Sequence, residues 1–454
     1  MNEDASLGNV KGTGNILRFA LPTILMMVST STYVMVDGLI ISNMISTDAL
    51  AAANIIMPLF SVFTAFGFMF ATGGSALVSR KLGQGRDEEA SRDFTLIMAS
   101  SLIVAVAISV IGLAFNDTLV RLMGADDTLA GMSADYLSWY LPLAPFLVGQ
   151  FLVMQFMVVA GKPGISLALS VAGGVANIAL DILFIGPFGM GISGAAFASG
   201  LSSFVIFVIA VAFFASKRRN VHFSSPSRDM RILGSACYNG MSEMVSEISG
   251  SISVLAFNLV MMSLIGPDGV AAITVIMYIQ FLAIAVILGY SLGVAPVMGY
   301  DYGSEDRAAM RDLYRTSAKF VLGFSLAVFV FMELFGGGVV SLFDAGNQDL
   351  HGIAMEGVRI HSFAYLFMGL NLYASSLFTS LSNGKLSAII SSLRALVILI
   401  PMIALLSYLI GVDGVWMAIP VTEIATFMVT AYLLRKNSDR YGYGRLIDRS
   451  GTSF

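Results

Sequence analysis

Residues Ile16–Ser42 have the sequence ILRFALPTILMMVSTSTYVMVDGLIIS, and this stretch decides the class of the protein. Its only charged residues are Arg18 near the start and Asp37 near the end. A transmembrane α-helix needs about 20 mainly apolar residues, and this stretch exceeds that length. It is too long for the apolar core of a signal peptide, and no small-residue cleavage site follows it. We therefore predict that it is a retained first membrane span.

Eleven more apolar segments follow the first span and are separated by polar or glycine-rich breaks. They lie at about 49–79, 94–115, 135–159, 165–186, 192–215, 232–264, 270–299, 317–343, 357–381, 387–410 and 415–434. Each is predicted to be a helix, because a lone span in lipid must satisfy its own backbone hydrogen bonds. The sequence thus predicts an all-α polytopic membrane protein with 12 transmembrane helices.

The composition points to the same class. Of the 454 residues, 57% are hydrophobic and only 12% are charged, whereas about 25% of a soluble domain is charged. This excludes a soluble enzyme, a nucleic-acid-binding protein and a disordered chain. The single cysteine, Cys237, excludes an internal disulfide. No metal-ligand spacing, phosphate-binding loop or catalytic nucleophile is evident, so we expect no enzymatic activity and no cofactor.

Positive charges are distributed unevenly between the two sides of the predicted membrane. The tails and even-numbered loops contain 20 Lys and Arg residues, the odd-numbered loops contain 2, and Arg18, Lys319 and Arg394 fall within predicted spans. Because cytoplasmic loops have an excess of Lys and Arg, we predict that both termini are cytoplasmic. The expected location is the cell (inner or plasma) membrane, which the chain crosses many times.

An internal repeat relates the two halves of the chain. Three breaks superpose when the sequence is shifted by 220 residues: DALAA (48–52) with DGVAA (268–272), LG (82–83) with YG (302–303), and GISG (191–194) with GVDG (411–414). The repeat predicts two pseudo-symmetric six-helix bundles related by an axis along the membrane normal. Their predicted limits are 1–215 and 232–436, with a cytoplasmic linker at 216–231 and a cytoplasmic tail at 437–454.

Few ionisable side chains lie inside the predicted spans, and two of them fall at one level of the first half together with two neutral polar groups. Asp37 and Asp181 each lie about five residues, or about 8 Å, inside the outer ends of spans 1 and 5. Asn177 shares a helix face with Asp181 because it lies four residues earlier, and Ser199 lies at a similar depth in span 6. Such a set predicts a proton or cation site, because acids inside the membrane are costly and usually functional. The alternative is a polar cluster that only packs helices together.

The second half contains secondary candidates. Glu243 and Glu247 share a face of span 7, with Glu243 closer to the solvated end, and Glu423 lies deeper in span 12. Arg394 in span 11 is the clearest intramembrane cation, and it could simply neutralise one of these acids. We interpret Glu333, which precedes a Gly-Gly-Gly run, as the outer end of span 9.

Four motifs together resemble the multidrug and toxic compound extrusion (MATE) family of transporters, and the resemblance covers nearly the whole chain. Each motif is weakly specific alone, but the set is specific. The motifs are VMVDG at 34–38, GSALVSRKLG at 74–83, NIALDILFI at 177–185 and GISGAAFA at 191–198.

The resemblance implies a V-shaped fold and export of organic, mainly cationic, drug-like compounds in exchange for inward H⁺ or Na⁺. The chain is more similar to the DinF-like branch, whose coupling site combines an acid of span 1 with the Asn and Asp of span 5. This implies that Asp37, Asn177 and Asp181 bind the coupling ion, H⁺ or Na⁺, and that Ser199 contributes a hydroxyl. It also implies that Pro22 bends the first helix on protonation.

The NorM-like branch uses acids of spans 7, 8 and 10 to hold Na⁺, and the chain departs from that pattern. Glu247 has a different spacing from Gly240, and the predicted spans 8 and 10 contain no buried acid, which favours coupling in the first half. Two alternatives stay open: a lipid-linked oligosaccharide flippase of the same wider superfamily, and a non-transporting channel or structural membrane protein. We expect small organic substrates and the lipid bilayer as partners, no nucleic acid, and a monomer.

Overall fold

The computed structural model describes residues 7–216, 219–342 and 348–444, and these residues form helices without strands. The helices of the first half are α1 (Thr13–Met44), α2 (Thr47–Ile55), α3 (Met57–Gly83), α4 (Asp87–Ala114), α5 (Asn116–Leu122), α6 (Ala130–Tyr140), α7 (Ala144–Val159), α8 (Pro163–Ile185) and α9 (Ile192–Phe214). The second half contains α10 (Arg231–Leu264), α11 (Pro267–Gly303), α12 (Arg307–Val340), α13 (Gln348–His361), α14 (Tyr365–Ser380), α15 (Gly384–Ser392), α16 (Leu399–Ile410) and α17 (Val412–Tyr441).

The twelve predicted spans correspond to these helices. Within the described residues, ten helical segments are long and apolar enough to cross a membrane, and the pair α6–α7, bent by 54°, adds an eleventh. The remaining predicted span, 357–381, is the pair α13–α14, which a short 3₁₀-helix at Ser362–Ala364 interrupts. The predicted linker residues Lys217 and Arg218, and the tail residues 445–454, lie outside the described residues.

The repeat is visible in the backbone. The repeated turns GISG and GVDG each place a glycine before a span, at the start of α9 and α17. Gly191 has φ 58° and ψ −137°, and Gly411 has φ 67° and ψ −135°. Both values of φ are positive, a region that favours glycine because it has no Cβ. The same turn therefore begins the last span of each half.

The halves are joined mainly where α1 packs against α11 and where α3 packs against α10 and α11. Glycines make this contact close. A Cβ on Gly240 would collide with the backbone carbonyl of Met69, and a Cβ on Gly289 would lie 2.7 Å from that of Thr23. The contact extends at least as far as Ser61 and Ser251, whose hydroxyls lie 3.0 Å apart.

Both described chain ends lie on one side of the molecule, here called the inner side, which the sequence predicts to be cytoplasmic. Lys11 forms an ion pair of 2.8 Å with Asp306 at the start of α12, and Gly442 lies against the side chain of Arg307 in the same helix. At the opposite end, α2 packs mainly on α1 and α6 of its own half. This arrangement agrees with the predicted V-shaped fold.

Two predicted span ends need correction. Glu333 does not mark the outer end of span 9, because α12 continues to Val340 and Glu333 accepts a hydrogen bond of 2.5 Å from Ser362. Span 8 was predicted to contain no buried acid, but α11 continues to Gly303 and includes Asp301, which is 3% exposed. This acid lies at the inner end of its helix, next to the Lys11–Asp306 pair.

Candidate functional site

Asp37 of α1 and Asp181 of α8 face each other in the first half. Their carboxyl groups lie within side-chain hydrogen-bonding range. Asp181 is fully buried, whereas Asp37 is partly exposed. Ionised carboxylates only accept hydrogen bonds, so two of them can bond to each other only when one holds a proton. We call these two residues the acid pair.

Asn177 and Ser199 complete the predicted set. The Asn177 amide donates a hydrogen bond of 3.2 Å to the Ser199 hydroxyl. Apart from the contact between the two carboxyl groups, four buried oxygens of the set have no hydrogen-bond partner: Asp37 Oδ1, Asn177 Oδ1, Asp181 Oδ1 and Asp181 Oδ2. Buried polar atoms normally have a partner, and an unpaired one costs free energy. Oxygen atoms in this arrangement suit a proton or a hard cation such as Na⁺.

Tyr136 of α6, which was not among the predicted residues, lies at the same site. Its hydroxyl is within hydrogen-bonding range of Ser199 and close to both acids of the pair. Tyr33, one helical turn before Asp37, and Tyr140 lie beside it. One sequence pattern could have pointed to Tyr136: Tyr136 and Tyr140 lie four residues apart at the outer end of span 4, at the predicted depth of the acids.

A cavity lies beside the acid pair between α1, α3 and α7. Its apolar walls are Met and Phe side chains, its polar lining consists of hydroxyl and amide groups, and Leu292 of α11 closes one side. The lining residues are Met26, Met27, Met154, Phe68, Ala71, Phe151, Thr30, Tyr33, Thr72, Gln150, Gln155 and Leu292. Tyr33 both lines the cavity and approaches Asp37, so it connects the cavity with the acid pair.

Pro22 lies within α1, which continues through it from Thr13 to Met44. The next residue, Thr23, is fully buried and contacts α11 at the positions of Gly289 and Gly293. The proline therefore lies where the two halves meet rather than beside the acid pair.

The acids of span 7 lie at the interface between the halves. Glu247 of α10 accepts a hydrogen bond of 3.4 Å from Thr64 of α3. Glu243, one turn closer to the inner side, is partly exposed and lies within electrostatic range of Glu247 and Arg394. Both acids therefore lie within α10 rather than at its end.

Arg394 and Glu423 form a buried ion pair. Glu423 Oε1 accepts hydrogen bonds of 3.2 Å from Arg394 Nε and 2.7 Å from Arg394 Nη2, and Glu423 Oε2 accepts one of 2.7 Å from the Asn371 amide. The side chains of Arg394 and Glu423 are 11% and 3% exposed. Arg394 lies in a π-helical turn at Leu393–Val397, between α15 and α16, and such turns often occur at functional sites.

The structure thus groups the predicted residues into two clusters. Asp37, Asn177, Asp181 and Ser199 lie together in the first half, while Arg394 binds Glu423 in the second half and lies within electrostatic range of Glu243. Among the described residues, no three His, Cys, Asp or Glu side chains form a group that could hold a metal ion.

Comparison with known proteins identifies one family. The family model MatE matches residues 22–183 and 244–405. The two matches start 222 residues apart, in agreement with the repeat.

Curated relatives have related names. The chain is 23% identical over 427 residues to "Multidrug export protein MepA" of Staphylococcus haemolyticus, covering 92% of this chain and 93% of the relative. It is 23% identical over 430 residues to "FAD transporter" of Shewanella oneidensis, covering 93% and 94% of the two chains.

Solved structures match across nearly their whole length. A MATE in complex with MaL6 has a TM-score of 0.91 at 25% identity and covers 97% of this chain and 100% of that one. A multidrug resistance MATE family transporter described as outward-facing has a TM-score of 0.90 at 25% identity, covering 97% and 99%. MATE structures described as bent and straight match about equally well, with TM-scores of 0.89 and 0.90.

Proposed function

Because this chain belongs to the MatE family of multidrug efflux transporters, we propose that it is a secondary active antiporter. It exports organic, mainly cationic, compounds in exchange for inward H⁺ or Na⁺. The observation that supports this most directly is the acid pair, with its unpartnered buried oxygens, next to a cavity with Met and Phe walls. Flexible Met and aromatic side chains suit bulky ligands of varied shape.

The acid pair supplies the coupling. Two carboxylates at close range in a low dielectric are not easily ionised together. With one negative charge, the pair attracts an organic cation in the cavity. A proton or Na⁺ that enters from outside neutralises that charge, weakens the attraction and lets the substrate leave outward. Exchange follows because the coupling ion and the substrate compete for one binding state.

The proposal also covers the topology of the protein, its oligomeric state and the roles of the remaining site residues. The protein is a multi-pass membrane protein, and we propose that it works as a monomer with both termini in the cytoplasm. It acts on substrates by moving them and not by altering covalent bonds. Asn177 and Ser199 hold the acid pair in place, and Glu243 and Glu247 add negative potential to the region between the halves.

The alternative of a flippase for pyrophosphate-linked lipids has less support. Such a substrate needs basic side chains in the cavity, and the cavity of the first half contains none. Arg394 already pairs with Glu423. Because one relative is named "FAD transporter", an anionic substrate is a hypothesis to test.

A transport assay tests the proposal. Purified protein in proteoliposomes loaded with a fluorescent organic cation should drive uphill efflux when a pH gradient or a Na⁺ gradient is imposed alone. The gradient that suffices identifies the coupling ion. The absence of uphill transport under both gradients, in protein that still binds the dye, would contradict antiport.

A further inference from the structure

Five buried hydroxyl groups form a continuous chain inside the second half. The links are Ser242–Thr379 at 3.2 Å, Thr379–Ser387 at 2.8 Å, Ser387–Ser375 at 2.8 Å and Ser375–Ser391 at 2.8 Å, measured between side-chain oxygens. The five residues come from three helices, α10, α14 and α15, and each is at most 3% exposed. We call this set the hydroxyl chain. The hydroxyls of Thr379, Ser387 and Ser375 also lie within donating distance of backbone carbonyls. A hydroxyl both donates and accepts, so each oxygen can pass a proton to the next when its O–H turns from the carbonyl to the neighbouring hydroxyl.

The upper end of the hydroxyl chain approaches the buried ion pair. Ser391 lies three residues before Arg394, and Ser375 lies four residues after Asn371, whose amide donates to Glu423. These spacings put each pair on one helix face. The hydroxyl chain therefore reaches within one helical turn of the residues that hold Glu423.

Unpartnered polar atoms also lie on α14 and α17, the helices that contain Asn371 and Glu423. Asn371 Oδ1, Thr426 Oγ1 and Thr430 Oγ1 are buried without a hydrogen-bond partner, although all three residues are 0% exposed. Thr426 lies three residues after Glu423 on the same face of α17. Buried groups of this kind are commonly satisfied by bound water. One or two waters here would link Ser375 or Ser391 to the Glu423 carboxylate.

The lower end of the hydroxyl chain lies near the inner surface. Thr379 is the penultimate residue of α14, next to the turn that joins α14 to α15. Asn239 donates a hydrogen bond of 2.7 Å to the Thr379 carbonyl, and the Ser382 hydroxyl in the turn is again unpartnered. A proton from the inner side therefore needs to pass only this turn to reach the hydroxyl chain.

We propose that the hydroxyl chain is a proton path between the inner side and Glu423, which makes Glu423 a second protonation site, separate from the acid pair. The role of this path in the transport cycle rests on the proposed antiport function. A proton enters at Thr379 or Ser242, each oxygen accepts one proton and releases its own to the next, and the Glu423 carboxylate becomes a carboxylic acid. No other bond changes.

Protonation of Glu423 frees its cation partner. Arg394 then lies within electrostatic range of Glu243, which together with Glu247 can balance its charge from α10. On the outer side, α13 packs against Trp416 of α17, two turns from Glu423, and ends at His361. Arg394 lies in the π-helical turn, a backbone form that often occurs at functional sites, and in this proposal its side chain shifts locally when Glu423 gains the proton.

Helix packing is the competing explanation, because serine and threonine hydroxyls also join helices inside membranes. The two explanations differ in what they predict for proton movement. A packing role affects stability alone, whereas a path also sets the rate at which Glu423 gains its proton.

Infrared difference spectroscopy on the full-length protein tests the path. After a rapid shift to acid pH, a band of a protonated carboxyl group that Glu423→Gln removes should appear. Thr379→Val and Ser387→Ala should slow the appearance of that band by about tenfold or more, since each removes a link. Thr422→Val is the matched control: its hydroxyl bonds only to the Ala418 carbonyl of its own helix and lies outside the hydroxyl chain.

The outcomes separate the hypotheses. The path is contradicted if no Glu423 band appears, or if the band forms at the wild-type rate in both chain variants. If one variant fails to fold, as judged by its melting temperature, the other decides. Uphill transport is measured separately. If the Glu423 band appears and slows in the chain variants, but the protein shows no antiport, the proposed function is contradicted and the proton path is not.

Discussion

The acid pair is the smallest unit on which the proposed mechanism depends. We predict that Asp181→Asn and Asp37→Asn each abolish ion-driven efflux while the protein still folds and inserts, because the amide keeps the shape and removes the titration. The double variant should be little worse than either single one, since both changes break one step. Efflux in proteoliposomes is the measurement. Asp135→Asn, an exposed acid next to Tyr136 in sequence, is the control and should transport normally.

A different result would move the coupling site to the second half. If the acid pair only packs helices, both Asp→Asn variants should transport almost normally, and Glu247→Gln or Glu423→Gln should lose efflux instead. Vigorous gradient-driven efflux by Asp181→Asn would be enough to reject the site in the first half.

Tyr136 is predicted to position the site through its hydroxyl. Tyr136→Phe removes one hydrogen bond near Ser199 and the acid pair, at a cost of about 1 kcal/mol, so we expect efflux to slow by about fivefold. The dependence of the rate on pH should shift as well, which a purely structural change would not cause. Tyr408→Phe, whose parent side chain is 87% exposed, is the matched control. An unchanged pH profile in Tyr136→Phe would contradict the assignment.

The residues of the site differed in how well the sequence could predict them. Asp37, Asn177 and Asp181 could be placed together because charge inside a span is rare and helical spacing fixes the shared face. Tyr136 has no charge, and aromatic residues are common at the ends of spans, so it gave no distinct signal. The partner of Glu423 depends on how α14, α15 and α17 pack, and the sequence left open which of the acids of the second half Arg394 neutralises.

At the level of elements, the contact between α3 and α10 requires glycine. We predict that Gly240→Ala reduces efflux and lowers the melting temperature, because its Cβ would collide with the backbone carbonyl of Met69 and push the helices apart. Gly250→Ala in the same helix meets nothing within 4 Å and should be tolerated. Thermal unfolding and efflux of the two variants check this. Equal behaviour of the two would mean that the halves need not approach so closely.

The breaks within spans were harder to predict than the spans themselves. Hydropathy averages over a whole segment, so 135–159 and 357–381 were predicted as continuous helices. Pro142 and Pro145 lie at the 54° bend between α6 and α7, whereas Pro296 and Pro420 lie inside uninterrupted helices. A proline alone therefore does not distinguish a break from a continuous span, because neighbouring helices can satisfy the freed backbone groups.

For the whole molecule, the distribution of positive charge predicts its orientation. After replacement of the native Cys237 by Ser, single cysteines at Gln84 and Arg307 should be protected from a membrane-impermeant thiol reagent added outside the cell. Cysteines at Asp126 and Asp349 should be labelled. Permeabilised cells are the control, in which all four sites should react. Labelling of Gln84 in intact cells would invert the orientation and, with it, the direction of transport proposed here.

The sign of the charges around the acid pair and between the halves should determine whether cationic or anionic substrates are preferred. The region around the acid pair, Glu243 and Glu247 contains acidic side chains, whereas Arg394, the cation near it, is balanced by Glu423. Of two amphiphilic dyes of equal size, the cationic one should therefore be exported faster, by about tenfold or more, because like charges at close range cost several kcal/mol. Ionophores that clamp the membrane potential at zero remove the electrical bias from the comparison.

Preferential export of the anionic dye would favour a flavin nucleotide or pyrophosphate-linked lipid as substrate. Such a substrate would need Arg394 to leave Glu423, which makes Arg394→Gln the variant that should then lose anion transport and keep cation transport.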